Sequence, residues 1–359
     1  MGSAELLNFS SNDYLGLGRY PKVKEASISA TARYGTGAGA SRLLSGNHPL
    51  YAQLESNLAK FKGTEAALVF PTGYMANLGL LTSLAGPGDT LILDKLCHAS
   101  LIDAARLSGA VVRTYPHRDV ERCREILTKS AGRRIVVTDG VFSMDGDLAP
   151  LPELVSLTQT EGAALVVDDA HGNFLLGEDG RGTLSHFGIS DPAGGDSRGG
   201  VIQMGTFSKA LGSLGGYVVG STRLIDFLIN KARSFIFTTG LPPGVVAASL
   251  AALEIVEKEP DRRRTLLARA AKFRAALTGQ GWDILGSQTQ IIPILAGQVE
   301  AAIEWSGHLR ASGIFAPAIR PPTVPPGKCR IRISLTAYHD DPDVERLLSA
   351  LGGILHAAR

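Results

Sequence analysis

Between about residues 50 and 220, short runs of Val, Ile and Leu alternate with segments whose apolar residues recur at helical spacing. The runs predict strands at Ala66–Phe70, Thr90–Leu93, Val111–Tyr115, Ile135–Thr138, Ala164–Asp168, Val201–Thr206 and Gly216–Val219. The spaced segments predict helices that include Tyr51–Lys62, Tyr74–Ser83, His98–Ser108 and Leu151–Glu161. Apolar strands alternating with helices give an α/β fold with a mostly parallel sheet buried on both faces. Ligands of such sheets bind beyond the carboxyl ends of the strands, so chemistry is expected just after each apolar run.

The pattern changes after a Gly/Asp/Ser-rich loop at Ser190–Gly200 and a helix at Gly244–Lys258 that ends before Pro260. A basic helix at Arg262–Leu277, short alternating runs at Trp282–Leu285, Gln290–Leu295 and Arg330–Leu335, and a last helix at Asp343–His356 suggest a small α+β domain. The expected division is an N-terminal segment over 1–34, a large domain over 35–258 and a small one over 259–359. No internal repeat is seen.

Composition narrows the function. Hydrophobic residues make up 44% and charged residues 19%, and the net charge of +2 is too small for a nucleic-acid or anionic-membrane binder. No apolar run reaches the roughly 18 residues that a membrane helix needs. The first residues have neither a basic stretch nor an apolar one, so they do not read as a signal peptide. Cys97, Cys123 and Cys329 form no CxxC and cannot all pair, which fits a reducing, cytoplasmic location. The 42 glycines follow no period and point to tight turns and close backbone approaches.

Two segments carry candidate chemistry. Val166-Val167-Asp168-Asp169-Ala170-His171-Gly172 ends an apolar strand in a carboxylate with a histidine three residues on. A strand-end Asp also serves as a helix cap or turn former. Asp-x-x-His offers two metal ligands but no third at a familiar spacing, so no metal is expected. Gly205-Thr206-Phe207-Ser208-Lys209-Ala210-Leu211-Gly212 sets a lysine among small and hydroxyl residues where charge is scarce. A surface or ion-paired lysine is the bland alternative; a partly buried one has a lowered pKa that suits Schiff-base formation.

Together the two segments match what pyridoxal 5'-phosphate requires: an amine for its aldehyde and a carboxylate for its pyridine nitrogen. Its phosphate needs backbone N–H groups or hydroxyls, often at a helix N-terminus. Phe70-Pro71-Thr72-Gly73-Tyr74 follows a strand and opens a helix, which directs the N–H groups of Gly73 and Tyr74 at such a phosphate. His98 opens another helix after the Thr90–Leu93 strand, where an imidazole either stacks on the ring or caps the helix. Gly35-Thr36-Gly37-Ala38-Gly39-Ala40 fits G-x-G-x-x-A, but it follows no clear strand and lacks the later acidic residue of a nicotinamide site.

The chain resembles the α-oxoamine synthases, fold-type-I pyridoxal-phosphate enzymes that join an amino acid to an acyl thioester with loss of carbon dioxide. SSNDYLGL (Ser10–Leu17), GTGAGASRLLSGNHPLYAQLE (Gly35–Glu55), LCHASLIDAA (Leu96–Ala105), VFSMDGDLAPL (Val141–Leu151), VDDAHG (Val167–Gly172), TFSKALG (Thr206–Gly212) and RPPTVP (Arg320–Pro325) carry the likeness, in the family's order from about Leu7 onward. Ala318-Ile319-Arg320-Pro321-Pro322 is similar to the branch that makes a biotin precursor from L-alanine and a pimeloyl thioester.

That resemblance implies a homodimer with shared active sites and the following roles. Lys209 is the Schiff-base lysine and general base; Asp168 pairs with the pyridine nitrogen, His171 with the phenolic oxygen, and His98 stacks on the ring. Gly73, Tyr74 and Thr206 hold the phosphate or line the cofactor, Ser143 touches it, and Thr238 or Thr239 reaches the neighbouring subunit's phosphate. Arg332 clamps the amino acid's carboxylate, while Asn12, Arg320 and Thr323 place substrate and shape the acyl pocket. The resembled branch carries a few dozen residues ahead of Asn-Phe-Ser-Ser-Asn-Asp-Tyr, with an arginine implicated in acyl binding. This sequence begins seven residues before Asn8, so acyl affinity and dimer stability are expected to differ while cofactor chemistry is kept. The basic clusters Arg122–Arg134 and Arg262–Lys272 are expected to be solvated helix faces.

Overall fold

A computed structural model describes residues 5–190 and 199–357, so residues 191–198 of the expected loop and the first four residues lie outside it. Its strands are β1 (Leu7–Asn8), β2 (Ala66–Phe70), β3 (Thr90–Asp94), β4 (Val111–Tyr115), β5 (Arg134–Asp139), β6 (Ala164–Asp168), β7 (Gly200–Thr206), β8 (Gly216–Gly220), β9 (Ile291–Gly297), β10 (Ile314–Phe315), β11 (Ala318–Ile319) and β12 (Cys329–Ser334). Its α-helices are α1 (Pro21–Tyr34), α2 (Pro49–Lys62), α3 (Gly73–Leu84), α4 (Ala99–Leu107), α5 (Val120–Thr128), α6 (Leu151–Glu161), α7 (Thr183–His186), α8 (Thr222–Lys231), α9 (Arg233–Ile236), α10 (Pro243–Lys258), α11 (Pro260–Gly279), α12 (Val299–Ala311) and α13 (Asp341–Ala357).

The chain divides into two compact units, one of Leu17–Phe142 and Ala149–Pro260, the other of Met1–Gly16, Ser143–Leu148 and Asp261–Arg359. The boundaries fall elsewhere than a three-part reading of 1–34, 35–258 and 259–359 puts them. Residues 17–34 join the larger unit because α1 lies tightly along α10: a side chain at Gly244 would meet Thr31 Oγ1 at 2.2 Å and the Ser27 carbonyl at 3.0 Å. Residues 7–9 join the smaller unit because β1 pairs in parallel with β10 and Phe9 stacks on His339 at 4.0 Å.

The larger unit holds a seven-stranded sheet in the order β2-β8-β7-β6-β5-β3-β4. Strands β4, β3, β5, β6 and β7 pair in parallel, and β8 runs antiparallel between β7 and β2. The near-continuous Val, Ile and Leu of β3, β5 and β6 follow from burial on both faces. Alternation sorts β6 between two cores: Val166 packs with Leu80, Leu101 and Val137, whereas Leu165 and Val167 pack with Leu154 and Val136. Each such side chain contributes about 1.5–3 kcal/mol on burial. Asp168 has the parity of Val166 and therefore faces the side covered by α3 and α4.

Helix boundaries follow local chemistry. Pro49 opens α2 and Gly63 ends it in the left-handed region at φ 70°, while the Thr72 hydroxyl caps α3 by accepting from Met75 N at 3.1 Å. The Gly35–Ala40 segment leaves the end of α1 rather than a strand, which removes the structural basis of a dinucleotide site. Cys97 and Cys123 are buried and unpaired.

The smaller unit contains the antiparallel sheet β11-β12-β9, the pair β1-β10 and helices α12 and α13. Cys329 is buried there and unpaired. Trp282–Leu285, expected as a strand, is not one. The Asp283 carboxylate accepts from Leu285 N at 2.9 Å and Leu285 turns to φ 54°, an Asx-type turn that breaks the run. The basic face of α11 is also more than solvated surface. Arg263 is buried, Arg269 Nε donates to Asp341 at 2.8 Å, and Arg274 reaches the Thr289 carbonyl at 2.5 Å.

Candidate active site

At the carboxyl ends of β5, β6 and β7 a cavity of about 310 Å³ is lined by residues that include Gly73, Tyr74, Asn77, His98, Asp168, His171, Thr206 and Lys209. The sheet register assembles it, since Asp139, Asp168 and Met204 are direct neighbours across three parallel strands. Asp139 and Asp168 thus stand side by side, both buried. Burial first, and the Asp168 charge second, push the Asp139 carboxyl well above the usual carboxylate range.

Asp168 accepts from Ala170 N at 3.0 Å through Oδ1 and from Asn77 Nδ2 at 2.7 Å through Oδ2. Lys209 follows β7 on a turn that returns to β8; it is half-buried and lines the same cavity. His171 is buried on the turn after β6. His98 caps α4, its Nδ1 accepting from Ser100 N at 3.2 Å, and it lines the cavity as well, so capping does not remove it from the site. Burial lowers the pKa of His98, partly offset by Asp168.

The N-terminus of α3 forms the opposite wall. The N–H groups of Gly73 and Tyr74 carry no partner among the described residues, since the Thr72 cap serves Met75 and Ala76. Beside them Thr206 donates to the Gly215 carbonyl at 2.6 Å and lies 2.7 Å from the Ser208 hydroxyl. These features fit pyridoxal 5'-phosphate: two open N–H groups and the Ser208 hydroxyl for a phosphate, a buried carboxylate for a pyridine nitrogen, and an amine in the same cavity.

Other expected residues lie elsewhere. Thr238 and Thr239 follow α9 outside the cavity lining, with Thr239 bridged to Ser41. Asn12, Ser143 and Arg332 meet within the smaller unit. There the buried Arg332 donates from Nε to the Ser143 carbonyl at 2.6 Å, from Nη1 to Ser334 Oγ at 2.8 Å and from Nη2 to Asn12 Oδ1 at 3.3 Å. Arg320 and Thr323 are exposed on one turn, where Thr323 N donates to the Arg320 carbonyl at 3.0 Å.

The sequence reading missed Asn77, Ser100, Asp139 and Ser208. Asp139 carried the same signal as Asp168, an apolar strand ending in a carboxylate; Asn77 showed only as a polar residue inside an apolar helix. A second cavity of similar volume is lined by residues that include Lys62, Arg181 and Gln203. Its Lys62 amine is held by Asn173 Oδ1 at 2.5 Å and by the Arg181 carbonyl.

The family model for class I and II aminotransferases matches residues 4–351. An 8-amino-7-oxononanoate synthase of Geobacter sulfurreducens is 49% identical over 98% of this chain and 89% of that protein. The chain belongs to the class I and II aminotransferase family, on its α-oxoamine synthase branch. The 8-amino-7-oxononanoate synthase of Geotalea daltonii is 48% identical over 98% of this chain and 88% of its own. Among solved structures, serine palmitoyltransferase from Sphingomonas wittichii superposes with a TM-score of 0.92 at 32% identity, covering 98% of this chain and 88% of that one. An 8-amino-7-oxononanoate synthase from Francisella tularensis gives 0.84 at 28% identity and covers 98% of both. As an α-oxoamine synthase the chain is a pyridoxal-phosphate-dependent acyltransferase of fold type I.

Gly216 keeps the N-terminus of α3 in place. A side chain there would come within 2.5 Å of Gly73 Cα and 2.6 Å of Gly73 N, both backbone atoms that cannot swing away. Gly216→Ala is therefore expected to cost about 1–3 kcal/mol of stability and to weaken cofactor affinity at least about tenfold by moving the two open N–H groups. Thermal unfolding of the apo-protein and a cofactor titration check the two effects separately.

Proposed function

We propose that the enzyme condenses L-alanine with a pimeloyl thioester to give 8-amino-7-oxononanoate, carbon dioxide and the free thiol carrier, a step in making biotin. The reading is carried by one conjunction: a cavity uniting Lys209, Asp168, His171 and His98, in a chain 49% identical over nearly its whole length to an 8-amino-7-oxononanoate synthase. The higher TM-scores of the serine palmitoyltransferases do not outweigh this, because backbone shape is common to a family while side chains choose the substrate.

Pyridoxal phosphate, when bound, supplies an electron sink for the amino acid's α-carbon. In this proposal Asp168 holds the proton on the pyridine nitrogen, helped by the low dielectric of its buried position, and His171 donates to the phenolic oxygen. The open N–H groups of Gly73 and Tyr74, with Thr206, grip the phosphate. Lys209 would anchor the cofactor and would take the α-proton on Nζ. His98 would stack on the ring and would donate from its imidazole to the thioester oxygen, stabilising charge there. Arg332, fixed by Ser143, Ser334 and Asn12, takes the amino acid's carboxylate as a forked donor, and Arg320 and Thr323 line the acyl path. The working form is a homodimer in which Thr238 or Thr239 serves the phosphate of the other subunit.

Turnover with pimeloyl-CoA decides the substrate. Alanine is expected to support CoA release at least about tenfold faster than glycine or serine, since one methyl or hydroxyl in a fitted pocket is worth roughly 1–3 kcal/mol. Faster release with serine and a long-chain acyl-CoA overturns the reading in favour of a palmitoyltransferase.

A further inference from the structure

Along the cavity wall a line of hydrogen bonds runs from the buried carboxylate to the imidazole that caps α4. Asn77 Nδ2 lies 2.7 Å from Asp168 Oδ2 and 2.8 Å from Ser100 Oγ, and Ser100 Oγ lies 2.7 Å from His98 Nδ1. Asn77 and Ser100 are each about 1% exposed, so water does not take the place of either.

The donor in each link is fixed by its neighbours. An ionised carboxylate only accepts, so Asn77 must turn its amide nitrogen to Asp168. The second N–H of that nitrogen then goes to Ser100 Oγ. With that oxygen accepting, the Ser100 hydroxyl hydrogen is released toward His98 Nδ1. The same Nδ1 also receives the backbone N–H of Ser100 at 3.2 Å. Two donors aimed at one ring nitrogen leave no place for a proton on it. The imidazole proton must therefore sit on Nε2, which has no partner among the described residues and belongs to a side chain lining the cavity.

We infer that Asn77 and Ser100 are positioning residues that lock His98 as the neutral Nε2–H tautomer, tying the donor that faces the substrate to the carboxylate that faces the cofactor. The arrangement makes His98 a hydrogen-bond donor rather than a base, which leaves proton removal to Lys209. The charged groups around the ring are Asp168, Asp103 and Lys209, with Asp139 accepting from the His98 backbone N–H at 2.9 Å. Burial, the main influence on the ring, also favours its neutral form. The consequence for catalysis rests on the function proposed above; the tautomer itself does not.

The test is the two-bond proton–nitrogen spectrum of the apo-protein labelled with ¹⁵N-histidine, with His98 assigned by a His98→Gln variant. In the wild type, His98 is expected as the pure neutral Nε2–H form at pH 7.5. In Ser100→Ala the backbone donor survives but the hydroxyl is gone, and the tautomer ratio should move toward Nδ1–H by about fivefold, the worth of one ordinary hydrogen bond. Ser100→Thr keeps a hydroxyl and should restore the wild-type pattern. Asn77→Leu keeps the side-chain volume, frees the Ser100 hydroxyl to rotate and should give a similar mixture; should it fail to fold, the serine pair still decides. A wild-type Nδ1–H signal, or a Ser100→Ala spectrum identical to wild type, overturns the inference. Wild-type tautomer as expected but no turnover with any amino acid and acyl thioester would instead overturn the proposed function alone.

Discussion

Replacing Lys209 with alanine is expected to erase the visible absorbance of the cofactor-loaded enzyme and to lower the condensation rate at least about 10⁴-fold, the upper range for a general base that is also the covalent anchor. The position leaves no substitute. Lys209 sits on the turn between β7 and β8 and shares its cavity with one imidazole facing the solvent side, one buried imidazole and two buried carboxylates, none of which is an amine. The fold should tolerate the change, since the side chain is half-buried and its loss opens no closed core. Absorbance after cofactor addition, read beside the far-ultraviolet circular dichroism, checks both halves; a visible band in a folded Lys209→Ala protein would remove the lysine from the mechanism.

Asp168→Asn is expected to lower turnover by about 10²–10⁴-fold, the equivalent of the roughly 3–5 kcal/mol lost when one member of a buried charge pair is removed. An amide cannot hold a proton on a pyridine nitrogen, and Asn77 would then point a donor at a group with one acceptor oxygen in place of two. The apo-protein should respond in the other direction. Burial and the neighbouring charge raise the Asp139 pKa above its unfolded value, so its contribution to stability is lost as pH rises. Removing the charge of Asp168 relieves part of that loss. Above about pH 5 the apo variant should therefore be equal to or more stable than wild type, while near pH 3 the two converge. Urea unfolding of the two apo-proteins across that range measures it.

The sheet was legible because strands buried on both faces leave an unmistakable apolar run: every strand from β2 to β8 appears within one residue at each end. Asp168 and Lys209 were legible for the complementary reason, as charges at the end of such a run. Helices α1 and α12, whose apolar pattern is weak, escaped, and so did α8 although its apolar residues keep a clear helical spacing. The Asn77–Ser100 line escaped too, since residues 23 positions apart reveal a hydrogen bond only when α3 and α4 are laid side by side. Domain boundaries failed differently. Local pattern reports what a segment forms, whereas β1 and α1 are only a dozen residues apart and belong to different units because of partners hundreds of residues away.

That last arrangement shapes how the protein is made. The smaller unit draws on three stretches of chain, and its parallel pair joins Leu7–Asn8 to Ile314–Phe315. On a ribosome adding about 5–20 residues per second, β1 waits roughly 15–60 s for its partner strand to emerge. The larger unit, complete by Pro260, can fold first and carry the unmatched leader with it. Expressing residues 261–359 alone would omit an edge strand, the Phe9 ring on His339 and the Ser143 carbonyl that fixes Arg332. Translation order, not only thermodynamics, therefore decides when the Arg332 guanidinium acquires the Asn12 and Ser143 partners that hold it.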